Sequence, residues 1–168
     1  MWSQKRHSHR LLGWNRLINN RLLVGYAFGN PAMSDENVLT KEIAEQAVAD
    51  EDYVETDEFT AIEDDAAEIL GRKYLGNLYL NGLTSLSDAA AESLSNHDGE
   101  LNLSGLTSLS DAAAESLGKH EGDLELYGLT NLSDAAAESL GKYEGNLYLD
   151  LDLLPESAGN ILSDAGHE

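Results

Sequence analysis

The chain has 168 residues, a length suited to one domain and short for a typical two-domain enzyme. Its 31 acidic and 10 basic residues give a formal net charge of −21, which repels nucleic-acid phosphate and anionic lipid. The sequence has no cysteine, which excludes disulfides, thiolate zinc sites and cysteine nucleophiles, and its 42% of hydrophobic residues is too high for a disordered acidic tail.

Charge divides the chain near residue 33. Residues 1–34 carry five basic residues and no acid, whereas residues 35–168 carry all 31 acids and five bases, a balance of −26. We therefore separate a basic, acid-free leader (1–33) from the domain that follows (34–168). Four interpretations of the leader stay open: an export signal, an Arg-rich targeting arm, a basic arm for an acidic partner, or an over-extended or disordered start before a natural amino terminus at Met33.

The second half of the chain contains a repeat of 23 residues. Residues 78–100, 101–123 and 124–146 agree at 17 and then 18 of 23 positions. Weaker copies precede them, with one extra residue in the turn at 72–77. Another copy begins at Leu147, degrades through 150–154 and meets Pro155 before a polar tail. Degenerate units at 34–77 and 147–168 suit a stacked array, whose end units must cover the core with polar surface.

Each unit is predicted to form a short strand, a turn and a short helix. Leu78 and Leu80 alternate with Tyr79, which predicts a strand with one buried face. We expect Gly82 to turn the chain with a positive φ and Ser87 to cap the helix that follows. The helix should bury one stripe of side chains at Ala90, Ala91 and Leu94.

The segment LxLxGLTxLSDAAAESL, at 78–94, 101–117 and 124–140, resembles the leucine-rich repeat proteins. The resemblance covers about residues 38–162, and the repeat length and the Ser-Asp-x-Ala segment are most similar to the bacterial surface-antigen class. It implies an α/β solenoid with short parallel strands on the concave face, short helices on the convex face, and a surface that binds another protein. Leucine replaces the family's asparagine after the strand, at Leu83, Leu106 and Leu129. Acids replace its leading leucine, at Asp98, Glu121 and Glu144.

Variation among the three copies collects at the outward-facing strand positions, whereas the helix is identical in all of them. We predict that these positions form the partner-binding grid: Asn77, Tyr79, Asn81, Glu100, Asn102, Ser104, Asp123, Glu125, Tyr127, Asn146, Tyr148 and Asp150. Tyrosine offers a large contact area at low entropic cost, and the acids favour a basic partner. The competing interpretation is that solvent-facing positions vary freely.

Two other groups of residues could hold a metal ion. His97 and His120 recur at the repeat interval, with Tyr143 in the third unit, beside carboxylates. They lack a third histidine and a shared pocket, so we expect solvated turns. The helices carry acidic columns (Asp88, Asp111, Asp134; Glu92, Glu115, Glu138), but no EF-hand or glycine-rich calcium repeat accompanies them. We therefore predict no metal and no cofactor.

The sequence contains no GxSxG, phosphate loop, HExxH or dinucleotide fingerprint, so we predict that the protein is not an enzyme. We expect a protein–protein interaction module whose partner has a basic or aromatic surface, without nucleic-acid binding or membrane insertion. Two alternatives stay open: a structural spacer that self-associates, and an acidic surface protein that binds divalent ions. The lack of cysteine and of a convincing export signal favours the cytoplasm.

Overall fold

The structure, a computed structural model, describes residues 37–49 and 56–167. The predictions for the basic leader lie outside the described residues. In chain order the elements are β1 (Val38–Leu39), α1 (Lys41–Ala49), β2 (Ala61–Ile62), α2 (Asp64–Lys73), β3 (Leu78–Tyr79), α3 (Asp88–Leu94), β4 (Leu101–Asn102), α4 (Asp111–Leu117), β5 (Leu124–Glu125), α5 (Asp134–Leu140), β6 (Leu147–Tyr148) and α6 (Glu156–Asp164), with 3-10 turns at Thr56–Glu58 and Leu151–Leu153. Strand and helix alternate along the chain, so the protein is a mixed α/β structure built from repeating units.

The strands are parallel, and the sequence repeat sets their register. Leu78 pairs with Leu101, Leu101 with Leu124, and Leu124 with Leu147, each 23 residues further along the chain. β1 and β2 pair at the same interval in a separate two-stranded sheet. Because the interval between paired residues equals the repeat length, each unit adds one strand to the sheet, as the sequence predicts.

The extra residue predicted at 72–77 coincides with the break between the two sheets. α2 has ten residues, whereas α3, α4 and α5 have seven each, and Gly76 adopts a φ of 94° before β3 begins. Thr84 N donates to Thr60 O across an interval of 24 residues, whereas Thr130 N donates to Thr107 O across 23. Among the described strands, β2 and β3 do not pair, and the hydroxyl of Thr56 donates instead to the carbonyl oxygen of Tyr79 at 2.5 Å.

The short helices form where the sequence predicts them. Ser87 is the N-cap of α3, and its side-chain oxygen accepts a hydrogen bond from Ala90 N at 3.0 Å. The following Asp88 places a carboxylate in the first turn, where the helix dipole favours negative charge. Small alanines on the inner face let each helix pack closely on the next, from α1 through to α6.

The core is a row of leucines between the strands and the helices. Leu80, Leu103 and Leu126 are 0% exposed, and Leu149 in the last strand unit is 6% exposed. The helices add fully buried Leu94, Leu117 and Leu140 from the other side. A single unit could not bury this row alone, so the stability of each unit depends on its neighbours.

Two expectations for single segments are wrong. Gly82 does not have a positive φ; the described glycines that do are Gly76 and Gly166. Glycine is required at position 82 because an added Cβ would lie 2.2 Å from Asp57 O and 2.7 Å from Phe59 O, too close to the neighbouring backbone. The segment after Pro155 is not a polar tail but helix α6, which buries Ala158 and Leu162 against the array because these two apolar residues share one helical face.

Candidate interaction face

The twelve predicted contact residues lie on one side of β3–β6, which we call the strand face. They form three columns at the repeat interval: Asn77, Glu100, Asp123, Asn146; Tyr79, Asn102, Glu125, Tyr148; and Asn81, Ser104, Tyr127, Asp150. Residues of β3 and β6 in these columns are exposed, whereas those of β4 are half-buried by their neighbours. The leucines that alternate with them point into the core, so the strand period separates this face from the hydrophobic side.

Three tyrosines dominate the exposed apolar surface of the strand face. Tyr79 is 46% exposed, Tyr127 is 47% exposed and Tyr148 is 38% exposed. The rings of Tyr127, in the turn after β5, and Tyr148, in β6, come from neighbouring units, with centroids 6.3 Å apart and planes tilted by 34°. Such a pair gives a rigid aromatic surface whose loss of side-chain entropy on binding is small.

Asparagine side chains hold the acids of the strand face in place. Hydrogen bonds join neighbouring strands from Asn77 Nδ2 to Glu100 Oε2 (2.8 Å), from Asn146 Nδ2 to Asp123 Oδ1 (2.8 Å), and from Asn102 Nδ2 to Glu125 Oε2. The two residues of each pair are 23 positions apart in the sequence. An asparagine in one unit and an acid at the same position of the next unit, in either order, therefore indicated these hydrogen bonds. The hydroxyl of Ser104, in contrast, is buried and has no hydrogen-bond partner.

The strand face carries acids but no bases. The basic residues of the described ranges lie in α1, in α2 or just after α4 and α5: Lys41, Arg72, Lys73, Lys119 and Lys142. Within those ranges the ion pairs are Lys41 with Asp65, Arg72 with Glu68, and Lys119 with Glu115. None of these pairs involves a strand-face carboxylate, so the acids of this face are not neutralised by the described part of the chain.

A shallow hollow lies at the carboxyl-terminal end of the strand face. It has a volume of about 370 Å³ and is lined by Tyr127, Leu149, Asp150, Leu151 and Asp152. Asp150 Oδ1 accepts from Asp152 N at 3.1 Å, which fixes the carboxylate beside the apolar wall. The hollow therefore combines an aromatic ring, two leucines and two acids.

The turn histidines are not solvated, so that expectation is wrong. His97 is 2% exposed and His120 is 3% exposed, because their rings stack on one another between units. Tyr143, at the same position of the next unit, is 5% exposed. Among residues 37–49 and 56–167, no group of three or more His, Asp or Glu side chains could hold a metal ion.

The aspartate column of the helices has a structural partner that sequence reasoning missed. The cap serines donate their hydroxyl hydrogens to the aspartate of the preceding unit: Ser87 to Asp64, Ser110 to Asp88, and Ser133 to Asp111. Ser157, in the first turn of α6, donates in the same way to Asp134. The first-turn aspartates therefore accept a hydrogen bond from the next unit as well as lying at helix N-termini. The adjacent Ser-Asp pair in the three regular copies was the available signal.

No family model, curated protein or solved structure matches this chain. Among the described helices, none is long and apolar enough to cross a membrane.

Proposed function

We propose that the repeating units form a leucine-rich repeat solenoid, with the strand face on its concave side and the helices on its convex side. The one-strand-per-unit register and the continuous leucine row support this assignment. Leu83, Leu106 and Leu129, which stand where the family has asparagine, are at most 1% exposed, so an apolar column replaces the polar ladder of the family pattern. The bacterial surface-antigen class remains the subclass with the most similar repeat length.

The function we propose is protein–protein interaction through the strand face. The observation that carries it is the combination of three exposed tyrosines with acids that have no basic neighbour on that face. Large exposed aromatic side chains are common at binding surfaces, where they bury much area at small entropic cost. The uncompensated negative charge selects a partner with a basic surface and accelerates its approach.

The hydrogen-bonded acids favour binding because they are held in position before a partner arrives. Glu100 uses Oε2 and Asp123 uses Oδ1 to accept from asparagine amides. Their other carboxylate oxygens have no partner in the part of the chain that the structure describes, and each can accept from a lysine or an arginine. An ordered carboxylate loses less entropy on binding than a freely rotating one. The proposed role requires neither a catalytic step nor a cofactor.

The open edge of β6 supports a second candidate, a structural spacer that self-associates. β6 is the last strand of its sheet in the described residues, so its outer backbone groups do not pair with another strand. Leu153 lies in the 3-10 turn that follows and is 49% exposed. Unpaired strand edges next to apolar side chains are templates for association with a second chain.

A co-purification from the native host separates these two candidates. The bait is the full chain, compared with a triple variant in which Tyr79, Tyr127 and Tyr148 are replaced by alanine. A matched control replaces the exposed helix glutamates Glu92, Glu115 and Glu138 by glutamine. An interaction module should enrich the same basic protein with the wild type and the control but lose it with the tyrosine variant, while a spacer should retain its associations in all three. Equal recovery with the tyrosine variant would contradict binding through the strand face.

A further inference from the structure

A column of rings, three of them buried and one half-buried, runs through the turns that follow the helices. Tyr74, His97, His120 and Tyr143 contribute one ring from each of four consecutive units, at the repeat interval of 23 residues. Neighbouring ring centroids are 6.3, 6.4 and 6.5 Å apart, and the planes of the two histidines differ by 4°. We call these four residues the ring column. Its two central members are ionisable groups placed where water does not reach them.

The hydrogen bonds of the ring column suit neutral imidazoles. Nε2 of His97 lies 2.8 Å from Gly76 O, so it carries the hydrogen and donates to that carbonyl. The hydroxyl of Tyr143 donates in the same way to Gly122 O. Nδ1 of His97 and both ring nitrogens of His120 are buried without a partner. A protonated His97 would carry a second N–H at Nδ1, where it would be buried without an acceptor.

Several groups act on the charge of His97. Burial has the largest influence and lowers its pKa, because the apolar surroundings disfavour the imidazolium. The Gly76 carbonyl and the carboxylate of Asp98 act in the opposite direction, and His120 adds to the lowering. The ring of Tyr74 packs on the other side of His97 from His120.

The surroundings of His120 add a second constraint. Its ring lies between those of His97 and Tyr143 and is 3% exposed, so it closes one side of the His97 ring against solvent. The charged residues next to it in the chain, Lys119 and Glu121, are both exposed. If both histidines were protonated, two like charges would lie about 6.4 Å apart in a low-dielectric interior, where such repulsion is strong.

We propose that the ring column is a pH-sensitive latch that keeps the central units stacked near neutral pH and releases them in acid. Unfolded His97 binds a proton with an ordinary pKa of about 6.5, whereas the folded chain resists that proton. The unfolded state therefore holds more protons than the folded state once the pH falls below this value. The contribution of neutral His97 to stability is complete above about pH 6.5 and is lost as the pH falls.

The chain itself offers the variant that tests the latch. Tyrosine occupies the same position in two of the four units, so the double substitution His97→Tyr and His120→Tyr keeps an aromatic ring in every unit and removes both imidazoles. Urea unfolding of the full chain is measured at pH 7.5 and at pH 5.5. His97 alone should lower the wild-type folding equilibrium constant by up to about tenfold more than that of the double variant over this interval. His167→Gln tests the other described histidine with a buried, unpartnered ring nitrogen, and this variant should keep the wild-type dependence.

Equal pH dependence in the wild type and the double variant would overturn the latch, as would loss of the dependence in the His167→Gln control. A second measurement needs only the wild-type chain, in case tyrosine does not fit. The Cε1–Hε1 NMR signal of His97 in the folded population should titrate at a lower pH than that of the unfolded chain, while signals of unfolded chain grow as the pH falls. A His97 signal that titrates with a midpoint near pH 6.5 in an intact fold would contradict the proposal.

Discussion

Ser110 donates its hydroxyl hydrogen to Asp88, the first residue of the preceding helix. The same side-chain oxygen accepts from Ala113 N at 3.0 Å and caps its own helix. One serine therefore satisfies a helix N-terminus and joins two units, and the arrangement recurs at Ser87 and Ser133. Because a unit cannot bury its leucine row alone, such bonds between units add to the interface on which the array depends.

Replacing Ser110 by alanine should lower the free energy of unfolding by about 1–2 kcal/mol, because the cap and the bond to Asp88 are both lost. Urea unfolding followed by circular dichroism measures the change. Ser85→Ala is the matched control, since Ser85 is exposed and makes no side-chain hydrogen bond in the structure, and it should change the stability little. If both variants are equally stable, the serine–aspartate bonds do not join the units.

Replacing Leu117 by alanine should cost about 2–5 kcal/mol, because the side chain is 0% exposed at the centre of the array and its removal leaves a cavity. The measurement is the urea midpoint of the full chain. Leu75→Ala is the control, since Leu75 is 73% exposed and its removal leaves no cavity. If the Leu117 variant loses no more stability than the control, the result would contradict a core shared between units.

Much of the fold could be predicted because successive copies show the same residue at the same position. Leu78, Leu101 and Leu124 occupy one position in successive copies, and the period of two within each strand assigns them to the core. Ser87 was identified as a cap from its place before an alanine-rich run. The strand-face grid followed from the same alternation, since residues between the leucines must point the other way.

Contacts between units were harder to predict, because they depend on spacing in three dimensions. A histidine in a turn is usually solvated, and only the stacking distance of 6.4 Å between His97 and His120 explains why these two are buried. The sequence predicts a positive φ for Gly82. The structure shows a different reason for the glycine: the backbone oxygens of Asp57 and Phe59 lie too close for a side chain to fit. The bond from Ser110 to Asp88 likewise joins residues 22 positions apart.

Replacing Gly99 by alanine should destabilise the protein by about 1–3 kcal/mol or more. An added Cβ would lie 2.1 Å from Gly76 O, and backbone cannot move aside as a flexible side chain can. Gly159→Ala, in helix α6, is the control. The atom nearest to a Cβ added there would be Leu151 O at 3.4 Å, which is an ordinary contact distance. That variant should be stabilised by about 0.5–1 kcal/mol through higher helix propensity. Thermal unfolding distinguishes the two, and a Gly99 variant as stable as the wild type would contradict the close packing of the turns.

Raising the salt concentration should raise the melting temperature. Residues 35–168 carry a balance of −26, and like charges within about 10 Å repel less when salt shortens the Debye length. Calorimetry from about 10 mM to 300 mM NaCl should show a rise of a few degrees. The double substitution Glu92→Gln and Glu138→Gln removes two of the repelling charges and should show a smaller rise. A melting temperature that falls steadily with salt would show that ion pairs outweigh repulsion.

Alkaline pH should destabilise the fold through Tyr143. Burial, assisted by the charge of Asp123, raises the pKa of Tyr143 to about 12, and its hydroxyl donates to Gly122 O. An unfolded tyrosine loses its proton near pH 10, so between pH 10 and 12 the unfolded state binds fewer protons and stability falls as the pH rises. Urea unfolding at pH 9 and pH 11 should therefore show a larger loss for the wild type than for Tyr143→Phe. Tyr127→Phe, on the exposed strand face, should follow the wild type, and an identical loss in all three proteins would contradict a role for the buried hydroxyl.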